Sequence, residues 1–326
     1  MMKKGDLMIC KICSNSKNNK AFNVKEMMFG FRDKFTYFEC SRCGCLQIAK
    51  IPENMGKYYP SNYYSFEKSI SNNNFIKQIF IRKRDEYALF KKGFIGKIIY
   101  KKYPYMFLDM ISRIKINYNT KILDVGCGAG NFLYFLNKMG FRNLVGVDPY
   151  IEEDIIDGNI KIFKRTINDL PNNKKFDLII SSHSFEHISK QLGMLVKISK
   201  ILSENGACLL RMPVKTEYIW NKYGVNWVQI DAPRHFFLHT LKSFELLVKK
   251  SGMSIQDMIF DSTEFQFWGS EQYKKNIPLL AENSYSENPN KSIFTKKEIS
   301  EFKKKAKELN IMKQGSQVAF FLTKKL

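Results

Sequence analysis

Lys121-Ile122-Leu123-Asp124-Val125-Gly126-Cys127-Gly128-Ala129-Gly130 is an apolar run that ends in an acid and three glycines spaced G-x-G-x-G. It reads as a buried strand running into a tight turn that opens a helix over residues 131–139, the place where an α/β fold holds a nucleotide-like cofactor. Without a Cβ, Gly126 and Gly128 let the backbone take positive φ and approach a ligand closely, and the helix start offers free N–H groups to a carboxylate. A second apolar run, Leu144-Val145-Gly146-Val147, ends in Asp148, 24 residues after Asp124. An acid in that position accepts hydrogen bonds from ribose hydroxyls. The third glycine comes one residue early for the dinucleotide fingerprint, which argues against NAD.

With strand, glycine triplet, helix and second acid in this order, the chain resembles the class I S-adenosylmethionine (SAM) methyltransferases from about Lys121 to Leu326. The resemblance implies an α/β, Rossmann-like seven-stranded sheet whose last strand is inserted antiparallel. It also implies SAM as cofactor, bound by Asp124, Gly126, Gly128 and Gly130 beside its methionine part and by Asp148 at its ribose. The segment from Thr166 and Ile167 to Pro171 would border the adenine.

Alternating apolar and polar segments predict strands at 121–125, 144–148, 160–164, 177–182, 207–213, 254–261 and 317–322. Thr295-Lys296-Lys297-Glu298 is a capping box that opens a helix to about Leu309. Residues 263–294 show little regular pattern and are expected to form an insertion near the substrate mouth.

The chain has 326 residues, 44% of them hydrophobic, which suggests about two domains with a sizeable core. No apolar stretch approaches the roughly 20 residues that span a bilayer, and Met1 to Cys10 lacks a signal-peptide core, so a cytoplasmic protein is expected. The net charge of +22 is uneven. Residues 1–119 carry 23 Lys/Arg against 9 Asp/Glu, residues 120–262 carry 18 against 15, and residues 263–326 carry 12 against 7. A basic front on a nearly neutral centre suggests an anionic partner or simply a solvated basic surface.

Cys10-Lys11-Ile12-Cys13 and Cys40-Ser41-Arg42-Cys43 form two C-x2-C knuckles. Four thiolates in this spacing suit a structural Zn²⁺ with no open position for chemistry, ligated by Cys10, Cys13, Cys40 and Cys43. Cys45 could replace Cys43. The resulting organisation is a zinc-binding ribbon over 1–55, an aromatic and basic helical connector or lid over 56–118, and a methyltransferase domain over 119–326. Tyr58, Tyr59, Tyr63 and Tyr64 make an aromatic patch that packs as a hinge or, through Tyr63 and Tyr64, meets substrate. Residues 75–103 carry apolar side chains at helical spacing with Lys and Arg between them, as one or two basic amphipathic helices broken near Gly93 would.

All four histidines follow the glycine loop. His183 and His187 lie just past the fourth predicted strand, at the carboxyl end of the sheet where ligands bind. His235 and His239 lie in Asp231-Ala232-Pro233-Arg234-His235-Phe236-Phe237-Leu238-His239. An alcohol acceptor benefits from a general base, and histidine has a suitable pKa. The candidates are His235 first, then His183 and His187, with Arg234 holding a substrate phosphate or carboxylate. For His187 a structural hydrogen bond competes with catalysis, and His239 is expected to pack.

The ribbon, the Tyr-Tyr-Pro segment, Asp231 to His235 and Gly269-Ser270-Glu271-Gln272-Tyr273 together are similar to methyltransferases of bacterial surface-polysaccharide gene clusters. That similarity implies methyl transfer to a hydroxyl of a sugar, nucleotide sugar or related anionic small molecule. The chain ends without the long C-terminal extension of the related sugar C-methyltransferases, so O-methyl transfer is expected. Two other readings stand beside it: an RNA methyltransferase that grips phosphates with its ribbon and basic helices, and a non-catalytic zinc-ribbon adaptor with a retained SAM fold.

Overall fold

The computed structural model describes residues 8–60 and 75–325. Strands β1 (Lys20–Lys25), β2 (Lys34–Glu39) and β3 (Leu46–Ile48) form an antiparallel ribbon after the first cysteine knuckle. Helices α1 (Phe75–Phe90), α2 (Phe94–Lys102) and α3 (Met106–Ile111) follow. The expected break falls at Gly93, whose φ of 96° a side chain would resist. The chain then alternates: β4 (Lys121–Val125), α4 (Asn131–Lys138), β5 (Asn143–Val147), β6 (Ile155–Asp157), β7 (Ile160–Phe163), β8 (Phe176–Ser182), α5 (Gln191–Ile201) and β9 (Leu202–Pro213). It closes with α6 (Glu217–Tyr223), β10 (Phe237–Leu238), α7 (Leu241–Lys250), β11 (Met253–Phe260), α8 (Phe265–Lys274), α9 (Lys296–Ile311) and β12 (Gln317–Lys324).

The main sheet has the order β11-β12-β9-β8-β4-β5-β7-β6. Strands β4, β5, β7, β8 and β9 are mutually parallel, and β12 lies antiparallel between β9 and β11. This is the expected Rossmann-like methyltransferase sheet, with short β6 added antiparallel at one edge. The strands at the centre of the sheet are apolar on both faces because helices cover both, so Ile122, Leu123, Ile179 and Ile180 are all buried.

The ribbon does not stand apart. Strand β10, which begins 189 residues after the end of β3, pairs with it through Phe237 opposite Gln47 and Leu238 opposite Leu46. One apolar cluster runs from Cys10, Tyr37, Cys40 and Leu46 through Phe237 and Phe244 to Leu123, Met212 and Phe320. A small cysteine ribbon has little interior of its own, and here it borrows the interior of the sheet.

The connector helices pack against the sheet layer, Ala88, Leu89, Leu108 and Ile111 sharing a cluster with Ile122, Leu136 and Phe141. One expectation changes. Residues 263–294, expected to be irregular, include the ten-residue helix α8, which buries Phe267, Trp268, Gln272 and Tyr273. Its apolar positions alternate with buried polar ones, so no clean amphipathic stripe marks it in the sequence.

Candidate functional site

The turn after β4 carries Gly126, Gly128 and Gly130, all at positive φ. At Gly126 a Cβ would also meet the Ser184 Cβ at 2.4 Å, so only glycine fits. Ser184 Oγ in turn donates to the Val125 carbonyl at 2.7 Å, fixing the end of β8 against the end of β4. Asp148 closes the turn from the other side: Oδ2 accepts from the Gly128 N–H and Oδ1 from the Tyr150 N–H, each at 2.9 Å. Each oxygen keeps a lone pair, as a group that also receives two ribose hydroxyls requires. Burial, aided by the charge of Asp148, raises the Asp124 carboxyl to about 7. Thr166 caps a short turn: its N–H and hydroxyl both donate to Asp169 Oδ2, and Ile167 is buried beneath it. Glycines, acids and strand ends together fit an adenosyl cofactor.

Beyond Ser184 lies a cavity of about 710 Å³ whose lining includes Met28, His183, His187, Asp231, His235 and Trp268. Its walls come from three parts of the chain. Met28 belongs to the ribbon, and the 279–280 backbone is tied to it by N–H bonds from Leu279 to the Met27 carbonyl and from Leu280 to that of Met28. Phe265, Trp268 and Tyr285 supply an aromatic wall.

At one side of this cavity the three candidate histidines surround Glu186. Strand β8 ends at Ser182, His183 takes φ 53°, and a single turn over Phe185–His187 follows, which sets His183, Glu186 and His187 on one knot. The Glu186 side chain has no exposed surface, and neither oxygen has a hydrogen-bond partner among the described residues. His183 Nδ1 is 3.5 Å from Oε1 and His235 Nε2 is 3.9 Å from it. Burial opposes charge on Glu186, yet His183, His235 and His187 hold its carboxyl down to about 2. Burial, reinforced by His235, brings His187 down to about 4, so its ring is neutral at ordinary pH.

The ring nitrogens are assigned by their partners. His187 Nδ1 is 2.9 Å from the Arg234 carbonyl and His235 Nδ1 is 2.7 Å from that of Gln229; a carbonyl only accepts, so both Nδ1 atoms carry the hydrogen. Both Nε2 atoms therefore keep a lone pair. His183 is different. Its Nε2 accepts from Arg211 Nη1 at 2.7 Å, because an arginine only donates. Since Ser182 pairs with Arg211 across β8 and β9, this contact is built into the register. His183 is thus no free base, and it turns an N–H toward Glu186. His239 packs as expected, between Ser243 and Gln191.

Arg234 also departs from expectation. It is wholly buried and four of its five N–H donors are engaged: Nε and Nη2 reach the Asp231 carboxylate at 2.9 and 2.6 Å, Nη2 reaches Glu26 Oε1 at 3.0 Å, and Nη1 reaches the Tyr58 carbonyl at 3.2 Å. It cannot hold a substrate anion, and it orients Asp231 and the turn before His235. No Lys or Arg lines the cavity among the described residues. Tyr63 and Tyr64 lie outside the described residues. Tyr59, which the sequence placed only in an aromatic patch, sets its hydroxyl 3.1 Å from His187 Nδ1 and stacks on Tyr150, two residues beyond Asp148.

The sulfurs of Cys10 and Cys43 are 3.6 Å apart and those of Cys13 and Cys40 3.4 Å. A tetrahedron with metal–sulfur bonds of about 2.3 Å has edges of about 3.8 Å, so the four can close on zinc. Gln47 Nε2 donates to Cys10 Sγ at 3.2 Å, the kind of outer contact that steadies a thiolate ligand. Cys45 stands outside the cluster, buried, with its Sγ toward the Leu46 carbonyl.

Residues 100–257 match the model of the methyltransferase domain family. The chain is a SAM-dependent methyltransferase. It is similar to the protein named ubiquinone biosynthesis O-methyltransferase of Rickettsia bellii (strain OSU 85-389), 26% identical over 189 residues, which cover 52% of this chain and 77% of the relative. The protein of that name in Rickettsia canadensis is 24% identical over 198 residues, 54% of this chain and 83% of the relative. Among solved structures, the cyclopropane synthase MmaA2 of Mycobacterium tuberculosis aligns with a TM-score of 0.42 at 14% identity, over 78% of this enzyme and all of that chain. Among the described residues, no helix is long and apolar enough to cross a membrane.

Proposed function

We propose that this methyltransferase acts on a hydroxyl of a neutral ring held in the cavity, a sugar residue of a surface-polysaccharide intermediate being the acceptor we favour. The observation that supports this most is the buried, unpaired Glu186 carboxylate beside the free Nε2 atoms of His187 and His235, next to the glycine loop through Ser184. Bound SAM supplies an electrophilic methyl on its sulfonium, so the protein has chiefly to align the nucleophile and exclude water. Phe265, Trp268 and Tyr285 offer ring faces to the acceptor. The negative charge of Glu186 favours departure of the hydroxyl proton at the histidines as the oxygen–carbon bond forms and the carbon–sulfur bond breaks.

With no basic side chain in the cavity, a phosphate or nucleotide on the acceptor would remain at the mouth, and RNA is disfavoured as the acceptor. A phenolic hydroxyl is a second reading, supported by the aromatic wall and by the name of the Rickettsia relatives. The cysteine cluster we assign to zinc with a structural role, because four thiolates leave no open coordination position. The test incubates the full chain and methyl-labelled SAM with nucleotide sugars, phosphorylated saccharides, phenols and total RNA. Label on a saccharide or phenol hydroxyl, lost by at least a hundredfold in Glu186→Gln while SAM affinity holds, supports the reading; label on RNA alone overturns it.

A further inference from the structure

Glu186, His187 and His235 place a carboxylate oxygen and two ring nitrogens within 4.8 Å of one another. Their chemistry is that of a ligand set. The two imidazoles are held through Nδ1–H by backbone carbonyls at 2.9 and 2.7 Å, which fixes the ring orientation and presents Nε2 as a donor of electrons. Histidines that bind metals are secured in this manner. The carboxylate is buried and neither oxygen has a hydrogen bond, a state that costs free energy unless something positive completes it. His183 approaches it only at 3.5 Å, and the Arg234 guanidinium is spent on Glu26, Asp231 and the Tyr58 carbonyl. The two imidazoles line the cavity, with Glu186 buried behind them, which would leave further coordination positions on the cavity side open to water or to an acceptor hydroxyl.

We propose that Glu186, His187 Nε2 and His235 Nε2 bind a divalent first-row transition cation at the side of the acceptor cavity. Two imidazoles and one carboxylate suit such an ion and not magnesium or calcium, which take oxygen ligands. Ligand atoms on bonds of about 2.1 Å stand roughly 3.0–3.4 Å apart, so the 3.9 Å between His235 Nε2 and Glu186, and the 4.8 Å that bounds all three, must close by side-chain movement on binding. With the Nε2 lone pairs spent on the ion, the histidines no longer take the proton: the cation would bind the acceptor hydroxyl and lower its pKa, the proton passing to water. Asp231, with Oδ2 3.8 Å from His235 Nε2, adds negative charge beside the ion. This role in the reaction rests on the reading of the cavity as the acceptor site; the binding itself does not.

The test titrates Co²⁺ into the full chain carrying one zinc, at the ribbon, any other metal having been stripped with a mild chelator, followed by calorimetry and visible absorption. One equivalent beyond the ribbon metal is expected, with absorption free of thiolate-to-cobalt charge transfer. Glu186→Gln and His187→Ala should each weaken uptake at least tenfold while the ribbon zinc is retained, and His235→Gln serves if either fails to fold. No cobalt uptake by the wild type, or uptake unchanged in the folded variants, overturns the proposal. Cobalt uptake without methyl transfer to any saccharide or phenol would support the metal site and count against the acceptor reading. Loss of transfer in Glu186→Gln without cobalt uptake by the wild type would do the reverse.

Discussion

Arg234 and Glu26 meet guanidinium to carboxylate at 3.0 Å, and neither side chain has any exposed surface. One belongs to the turn before His235 and the other to the loop that follows β1, so a single buried ion pair ties the cysteine ribbon to the wall of the cavity. Glu26 also accepts from the backbone N–H groups of Met28, Phe29 and Phe31 at 2.9–3.1 Å, which shapes the loop that carries Met28 into the cavity.

Removing one partner of such a pair strands the other's charge away from water. Arg234→Met is expected to lower stability by about 3–5 kcal/mol. The double variant Arg234→Met/Glu26→Gln should recover part of that loss. Urea unfolding measures both, and an unchanged midpoint in the single variant would remove the coupling argument.

Zinc content follows from the sulfur geometry. After a mild chelator has stripped any metal held outside the ribbon, metal analysis should find one zinc per chain, retained when the glycine loop is disrupted by Gly126→Ala and lost in Cys10→Ser. Because the ribbon shares its apolar core with the main sheet, chelation should lower the midpoint of one cooperative transition. Calorimetry that resolves a separate ribbon transition would contradict the shared core.

Asp124 makes stability depend on pH. Burial and Asp148 raise its folded-state pKa to about 7, against about 3.9 in the unfolded chain. The folded state therefore keeps a proton that the unfolded state releases between those values. Its contribution is fully present below about pH 4, falls as pH rises, and is gone above about 7. Asp124→Asn should flatten the slope between pH 5 and 7.5; equal slopes for both proteins in urea unfolding would refute the assignment.

The alternation of strands and helices after Lys121 was legible because a parallel sheet buries both faces, leaving apolar runs punctuated by glycine and acid. His183, His187 and His235 were legible as candidates, two after one strand end and the third beside a proline turn, but their meeting around Glu186 was not, because the two segments are far apart in the chain. Arg234 was misread although Asp231, the acid that takes two of its bonds, stands only three residues before it; what no local pattern shows is its complete burial and the second acid, Glu26, 208 residues away. His183 looked like a base for the same reason, since the Arg211 that occupies its Nε2 arrives only through the β8–β9 register. Helix α8 escaped notice because Gln266, Ser270 and Gln272 are buried among its aromatics, which blurs the helical stripe. The ribbon motif announced its ligands but not its attachment, because β10 is two residues long and carries no pattern of its own.

The account depends most on the cradle formed by Gly126, Gly128, Gly130 and Asp148. Calorimetric titration of SAM into the wild-type chain and into Asp148→Ala tests it directly. One SAM per wild-type chain is expected, with affinity at least tenfold weaker in the variant. Equal affinity in the two proteins, or no SAM binding by the wild type, would contradict it.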